Sequence, residues 1–291
     1  MGIPYAEVIG DPIAHSKSPA IHRFWLKKLG IEADYRAVRM TADALHDYLI
    51  ARRGDPDWRG CNVTMPLKQV VMHFIGRIDR EAEGSGAVNT IVRDQDGARR
   101  GYNTDILAIA ECLTSAGRSA YPNHVATYVQ IIGTGGAARA AAYGAIAAGY
   151  TALDMEFFGR NIAAARALAG AFSGQPGFGQ DLSSLGGGSV PANAGREQRY
   201  SNVLINASPL GMRGYPPLEI DIGSYHDDTI VLDLVYDPVE TLLLKGAREK
   251  GLKTIDGLEI LVAQAAHAFR LFFGVESPCA DDAELRELLT R

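Results

Sequence analysis

An α/β fold in two domains is what this sequence predicts, and three observations carry the expectation. Short apolar runs alternate with helical patterns through the first hundred residues. A strand, a glycine-rich turn and an Ala-rich helix then open a second series of the same kind at Val125. At 291 residues, with 47% hydrophobic and 22% charged side chains, the chain has a globular composition and room for one large or two ordinary domains.

Taken in order, Tyr5 to Ile9 reads as a strand, Ser18 to Leu29 as a helix, Ala33 to Val38 as a strand and Ala42 to Arg52 as a helix, the rhythm of an α/β fold. Gly60 to Val63 reads as a third strand. Ala87 to Arg93 and Ala98 to Tyr102 form a hairpin about the turn signal Asp96-Gly97. A helix runs from Thr104 to about Ala116, Gly117 is placed to end it, and Tyr121-Pro122-Asn123 reads as a hinge. The apolar strand Val125 to Ile132 leads into Gly133-Thr134-Gly135-Gly136-Ala137-Ala138-Arg139 and a helix to about Ala148. Leu153 to Phe158 is a strand ending at Gly159-Arg160-Asn161, ahead of another Ala-rich helix. Ser173 to Arg199, rich in Gly, Ser and Pro and without a period beyond Leu182 and Leu185, reads as a surface excursion. Val203 to Ala207 and Ile230 to Val235 supply two more strands, Glu240 to Lys250 a helix stopped by Gly251, and Leu258 to Phe273 a last helical stretch.

A net charge of -5 without a long Lys/Arg run argues against a nucleic-acid surface and for small-molecule partners. Cys61, Cys112 and Cys279 are far apart and show no ligand spacing, so neither a disulfide scaffold nor a metal site is expected, and a reduced cytoplasmic setting fits. The N-terminus has no signal-peptide pattern, and no window of about 18 apolar residues suggests membrane insertion.

Two stretches carry chemistry. Asn62-Val-Thr64-Met-Pro66-Leu-Lys68 puts an amide, a hydroxyl and an amine on one short turn, where Pro66 biases Met65 toward extended geometry and holds Thr64 and Lys68 at a strand-to-helix junction. Such a turn binds and protonates a small polar molecule. The same residues also read as a capped helix start, with Thr64 as N-cap and Lys68 in solvent. The second stretch is the glycine turn. Gly133 permits a sharp bend, Gly135 lets the backbone approach a pyrophosphate, Ala138 allows close packing, and the helix N-terminus at Gly136 and Ala137 faces the phosphates, as in a Rossmann-type dinucleotide site. At the tip of the next strand Arg160, beside Asn161, can pair with a ribose 2′-phosphate, which favours NADP over NAD; the plain alternative is an exposed arginine.

In their order these pieces resemble the shikimate dehydrogenase family over nearly the full length. The motifs that carry the resemblance are Gly10-Asp-Pro12-Ile-Ala-His15-Ser16-Lys-Ser18-Pro19-Ala-Ile-His22, the Asn62 to Lys68 stretch, Gly86-Ala-Val-Asn89-Thr90, Gly101-Tyr-Asn103-Thr104-Asp105, the glycine turn, Asn206-Ala-Ser208-Pro-Leu-Gly211-Met212, Asp233-Leu-Val-Tyr236 and Asp256-Gly257-Leu-Glu-Ile-Leu-Val-Ala-Gln264. The resemblance implies an N-terminal α/β substrate domain over residues 1–105, joined by C-terminal helices from about 260 to 291, and a Rossmann NADP-binding domain over 106–259. It implies hydride transfer between NADP(H) and the ring ketone or alcohol of a hydroxylated cyclohexene carboxylate, bound in a cleft between the domains: 3-dehydroshikimate and shikimate, on the route to aromatic amino acids.

Lys68 and Asp105 then flank the reacting oxygen, with the carboxylate positioning the amine. Ser16 and Ser18, two apart on an extended loop, could both turn hydroxyls toward a carboxylate, and Asn62, Thr64, Asn89 and Asn103 suit ring hydroxyls. Tyr236 and Gln264 match positions that close over the substrate, though they also read as a core tyrosine and a helix-face amide. Ser208, Leu234 and Gly257 match positions near the nicotinamide. His15 and His22 read as neither metal ligands nor bases, and Arg99-Arg100 as a solvated hairpin end.

Several positions depart from the family's pattern: Arg23 where Asn is common, Ile106 and Ala108 for glycines, Glu259-Ile260 for Gly-Met, and Gly159 and Asn161 for the usual Asn and Thr/Ser around Arg160. They keep quinate or an aminoshikimate open as substrate and NAD as cofactor. A non-catalytic ligand sensor and a folate-interconverting dehydrogenase are the rival readings. Monomer and homodimer are both compatible with the sequence.

Overall fold

The computed structural model describes residues 2–94, 96–117, 128–185, 203–278 and 283–290, and divides into two compact units, Met1–Leu107 with Leu261–Arg291 and Ala108–Ile260. The first contains β1 (Tyr5–Gly10), α1 (Ser18–Leu29), β2 (Asp34–Arg39), α2 (Leu45–Arg53), β3 (Trp58–Val63), α3 (Leu67–Val70), β4 (Arg77–Ile78), α4 (Arg80–Ser85), β5 (Thr90–Arg93), β6 (Arg99–Tyr102) and the start of α5 (Thr104–Ser115). Its sheet runs β2-β1-β3-β5-β6-β4. The strands β2, β1 and β3 are parallel, whereas β5 runs antiparallel to both β3 and β6, closing the expected hairpin.

Both faces of this sheet are covered, which is why β1 is buried at every position. Tyr5 and Ile9 pack with Leu45, Leu49, Trp58, Leu67 and Ile91 on one face, while Ala6 and Val8 pack with Tyr35, Val92, Ala268 and Phe272 on the other. Between Tyr5 and Ile9, on the first face, stands Glu7. Its carboxylate is 1% exposed and accepts from the Tyr48 hydroxyl at 2.6 Å, from Arg52 Nε and Nη2 at 2.9 and 2.8 Å, and from Trp58 Nε1 at 3.2 Å.

The second unit contains β7 (Val129–Ile132), α6 (Gly136–Ala147), β8 (Met155–Gly159), α7 (Ile162–Ser173), β9 (Gly179–Asp181), β10 (Val203–Asn206), β11 (Ile230–Asp233), α8 (Leu242–Glu249), β12 (Lys253–Ile255) and the start of α9 (Gly257–Phe273), whose remainder, with α10 (Ala283–Thr290), belongs to the first unit. Its sheet is parallel throughout, in the order β12-β11-β10-β7-β8-β9. Counted within the unit this is the doubly wound order, with its switch point between β7 and β10.

Some expectations need correction. The segment after Ser173 is not all irregular: Gly179–Asp181 pairs with β8 as an edge strand, flanked by 3₁₀ turns Pro176–Phe178 and Leu182–Ser184. The sequence missed β12 as well, because three residues are too few to show alternation and β11 alone sets their register. Leu153 lies in a 3₁₀ turn ahead of β8, begun by the Thr151 hydroxyl accepting from Leu153 N–H. Helix α2 begins at Leu45 rather than Ala42. Arg99 is half-buried rather than solvated, and burial with the nearby Arg53 charge lowers its pKa. The hinge at Tyr121-Pro122-Asn123 and the start of the strand expected from Val125 lie outside the described residues. Among the described residues no helix is long and apolar enough to cross a membrane.

Glu7→Ala removes the buried partner of Arg52, so it should destabilise the protein by about 3 kcal/mol. Urea unfolding followed by tryptophan fluorescence measures this loss, and an unchanged midpoint would show the cluster to be dispensable.

Candidate active site

The carboxyl ends of β1 and β3 lie together in the first unit, since Asp11 N–H donates to Met65 O at 3.1 Å and Thr64 N–H to Ile9 O at 2.9 Å. Beyond β3 the chain turns through the cis bond Met65-Pro66 into α3, which carries Lys68. Pro66, not Thr64, occupies the N-cap position, and no side chain caps this helix. Lys68 Nζ lies 2.7 Å from Asp105 Oδ2, with the two side chains 26% and 21% exposed. The pair therefore reaches solvent while remaining engaged.

Its geometry comes from a buried amide and hydroxyl network. Asn89 Oδ1 accepts from Thr104 N–H at 2.8 Å and from the Thr90 hydroxyl at 2.9 Å, and Asn89 Nδ2 donates to Thr104 Oγ1 at 3.0 Å, which fixes the first residue of α5 and so Asp105 beside it. Val88 N–H donates to Lys68 O at 2.8 Å and ties the lysine backbone to the residue before Asn89. Asn62 Nδ2 donates to Thr90 Oγ1 at 2.9 Å, and Asn62 Oδ1 accepts from the Tyr35 hydroxyl at 2.5 Å. Gln264 Nε2 donates to Leu261 O at 2.8 Å, while its Oε1 accepts from Thr104 at 3.5 Å. Asn103 Nδ2 donates to Ser85 Oγ and Ala87 O, leaving Oδ1 buried without a partner.

Asn62 and Asn89, read as substrate contacts, thus have their amides engaged by the scaffold. Thr90, Thr104 and Tyr35 were given no role by the sequence, although both threonines stand inside the quoted motifs. Thr64 is half-buried, and among the described residues its hydroxyl has no protein partner. The serines do not share an extended loop: Ser18 is the first residue of α1, and Ser16 Oγ accepts its N–H at 3.4 Å. His22 is fully buried and stacked on Tyr35 at 4.0 Å, and burial drives its pKa down to about 3, so the ring is neutral.

In the second unit Gly133 has φ +126°, and a Cβ there would lie 2.6 Å from Ala207 O at the end of β10, so only glycine fits where the two strand ends meet. Gly135 is the N-cap of α6, in extended geometry with no capping side chain, and a Cβ on it would meet nothing within 4 Å. The first N–H groups of a twelve-residue helix, from Gly136 and Ala137 onward, therefore face an open cradle that fits a pyrophosphate. Arg160 is exposed at the tip of β8, and Asn161 Oδ1 caps α7 by accepting from Ala164 N–H at 3.1 Å.

Beyond β10 the Ser208 hydroxyl donates to Asn206 Oδ1 at 2.7 Å, and Leu234 N–H donates to Asn206 O at 3.0 Å. Gly257 packs directly against the Leu234-Val235 backbone, leaving no room for a Cβ. Tyr236 is half-buried, and burial, then the Asp237 charge, raises its pKa and keeps the phenol protonated. Asp233 binds the Asn206 amide, the Val235 N–H and the Thr241 hydroxyl, yet burial outweighs these donors and pushes its carboxyl up to about 6.

Residues 8–91 match the model of the shikimate dehydrogenase substrate binding domain. The chain is 44% identical to shikimate dehydrogenase (NADP(+)) of Sphingopyxis alaskensis, over 98% of its own length and 97% of that protein's. The chain belongs to the shikimate dehydrogenase family. Its Azorhizobium caulinodans relative of the same name is 36% identical over 97% of this chain and 94% of the other. Among solved structures, shikimate 5-dehydrogenase of Thermus thermophilus in complex with NADP(H) and shikimate matches with TM-score 0.77 and 32% identity, covering 99% of this chain and 98% of that one. Quinate dehydrogenase of Corynebacterium glutamicum in complex with NAD matches with TM-score 0.77 and 29% identity, covering 98% of each. The fold is accordingly the family's, an N-terminal α/β substrate domain and a Rossmann-type domain.

The departures from the family pattern find local accounts. Arg23 pairs with Asp34 at 3.0 Å on the surface, Ile106 and Ala108 are buried in α5, and Glu259 is exposed.

Because the folded Asp233 carboxyl holds its proton more tightly than the unfolded value of 3.8, its stabilising contribution is full below about pH 4 and is lost as the pH rises through about 6. Urea unfolding at a series of pH values should show the stability difference between wild type and Asp233→Asn falling across that window. A constant difference would contradict the raised pKa.

Proposed function

We propose that this chain catalyses the reversible NADP-dependent reduction of 3-dehydroshikimate to shikimate, the first unit holding the ring acid and the second the dinucleotide. The observation that carries the reading is the Lys68–Asp105 contact at 2.7 Å in the unit that contains the family's substrate-binding segment. NADPH, when bound, supplies the hydride to the ring carbonyl carbon. The carbonyl oxygen then carries developing negative charge and needs a proton, and Lys68 Nζ is the group to deliver it, with Asp105 holding the amine in place. In the reverse direction the same amine accepts the hydroxyl proton.

Ser18 and Ser16 are assigned to the substrate carboxylate. Thr64, whose hydroxyl is uncommitted, is assigned to a ring hydroxyl, with Gln264 and Tyr236 as further contacts, and a protonated Tyr236 can donate. Asn62 and Asn89 act chiefly by holding this shell in position. Gly133, Gly135, Gly136 and Ala137 cradle the pyrophosphate, and Arg160 and Asn161 face the adenosine ribose. Ser208, Leu234 and Gly257 shape the nicotinamide end as backbone scaffolding. A cytoplasmic location and small-molecule partners go with this reading, as charge and cysteine spacing suggest.

Steady-state assays by nicotinamide absorbance, with shikimate or quinate and NADP or NAD, test the assignment; turnover of quinate with NAD alone would overturn it. Lys68→Ala should lower kcat by about 10²–10⁴ with KM changed less, and a near-normal kcat would remove Lys68 from the proton transfer.

A further inference from the structure

Thr134 is the second residue of the glycine turn, and its methyl carbon lies 2.7 Å from where a Cβ on Gly159 would stand. The turn is held there, since Gly133 N–H donates to Phe158 O at 2.8 Å. A β-branched side chain has few χ1 options, so this methyl occupies the space above the tip of β8. Among the described residues the Thr134 hydroxyl, borne on the same Cβ, has no protein partner, and the side chain is half-buried. Just beyond β8 come Arg160, exposed, and Asn161, whose Oδ1 is used as a helix cap while its Nδ2 remains a donor.

The two carboxylates of β8 and β9 are already engaged by their neighbours. Glu156 is buried within β8 and accepts from Gln130 and Gln180, and Asp181, the partner of Gly159 in the sheet register, accepts from the Ser183 N–H and hydroxyl. A hydroxyl without a protein partner, a helix-cap amide and an exposed guanidinium therefore belong to the turn and the strand tip where an adenosine ribose would present its 2′ substituent, and such a donor set suits a phosphate dianion better than a neutral hydroxyl.

We propose that Thr134 is a specificity-determining residue for the 2′-phosphate, and that Gly159 is glycine to make room for it. The proposal rests on the NADP reading above. It treats the departure of Gly159 from the family's usual Asn as half of a matched pair rather than as a loss of cofactor discrimination.

Calorimetric titration of NADP⁺, NAD⁺ and adenosine 2′,5′-bisphosphate tests it without turnover. Thr134→Val keeps the shape and removes the hydroxyl, and should weaken NADP⁺ and the bisphosphate about tenfold while leaving NAD⁺ within about twofold. Thr134→Ser should bind NADP⁺ as the wild type does. Gly159→Ala should weaken NADP⁺ through collision with the methyl, and Thr134→Ser/Gly159→Ala should recover much of that loss. Equal effects of Thr134→Val on NADP⁺ and NAD⁺, no effect on either, or wild-type binding by Gly159→Ala would overturn the proposal. A wild type that binds NAD⁺ more tightly than NADP⁺ would instead overturn the cofactor reading beneath it.

Discussion

A buried lattice of amides and hydroxyls, Asn62, Asn89, Thr90 and Thr104, is the constraint on which the candidate site depends. Lys68 and Asp105 stand 37 residues apart in sequence, and neither short helix start could hold a long side chain at 2.7 Å from its partner unaided. Asn89 joins the strand end beside Lys68 to the first turn of α5, so the separation of amine and carboxylate is set by a network of neutral bonds. Neutral partners suit this task, because they are satisfied inside the fold without adding charge next to the reacting oxygen.

The second unit uses the same device on a smaller scale. Beside the switch point of its sheet, at the ends of β10 and β11, Asn206 and Asp233 bind each other and the turns that follow them, and Ser208 and Thr241 close the set. Gly133 lets the end of β7 approach the end of β10 closely, so the open helix N-terminus at Gly135 and Gly136 is held rigidly beside them. The first unit's candidate residues are thus the Lys68–Asp105 pair and the uncommitted Thr64 hydroxyl, and the second unit's are open backbone donors at the head of α6, each set carried on paired amides and hydroxyls.

Much of this was legible in the sequence where the signal was local. The order of strands and helices, the glycine turn and its strand, and the Lys68 and Asp105 motifs depend on residues within a few positions of one another. Reading failed where neighbours distant in sequence decide. Asn62 and Asn89 stand in polar motifs that suit a ligand, but their bonds to Tyr35, Thr90 and Thr104 are visible only in space. The serine loop looked extended, but the helix begins at Ser18 itself. The edge strands Gly179–Asp181 and Lys253–Ile255 are too short to carry a period and exist because an adjacent strand offers them hydrogen bonds.

The sequence by itself determined the α/β class and the kind of chemistry, and it singled out Lys68 and Asp105 as candidates for it, since periodicity, glycine placement and side-chain type are properties of a local string. Only the tertiary structure decided which polar groups remain free for a ligand and which are engaged by the scaffold, because hydrogen-bond satisfaction is settled by whatever lies within about 3 Å in space. The contact between Thr134 and Gly159 belongs to the same class: a turn residue and a strand-end residue limit each other's volume, and no pattern along the chain encodes that exclusion.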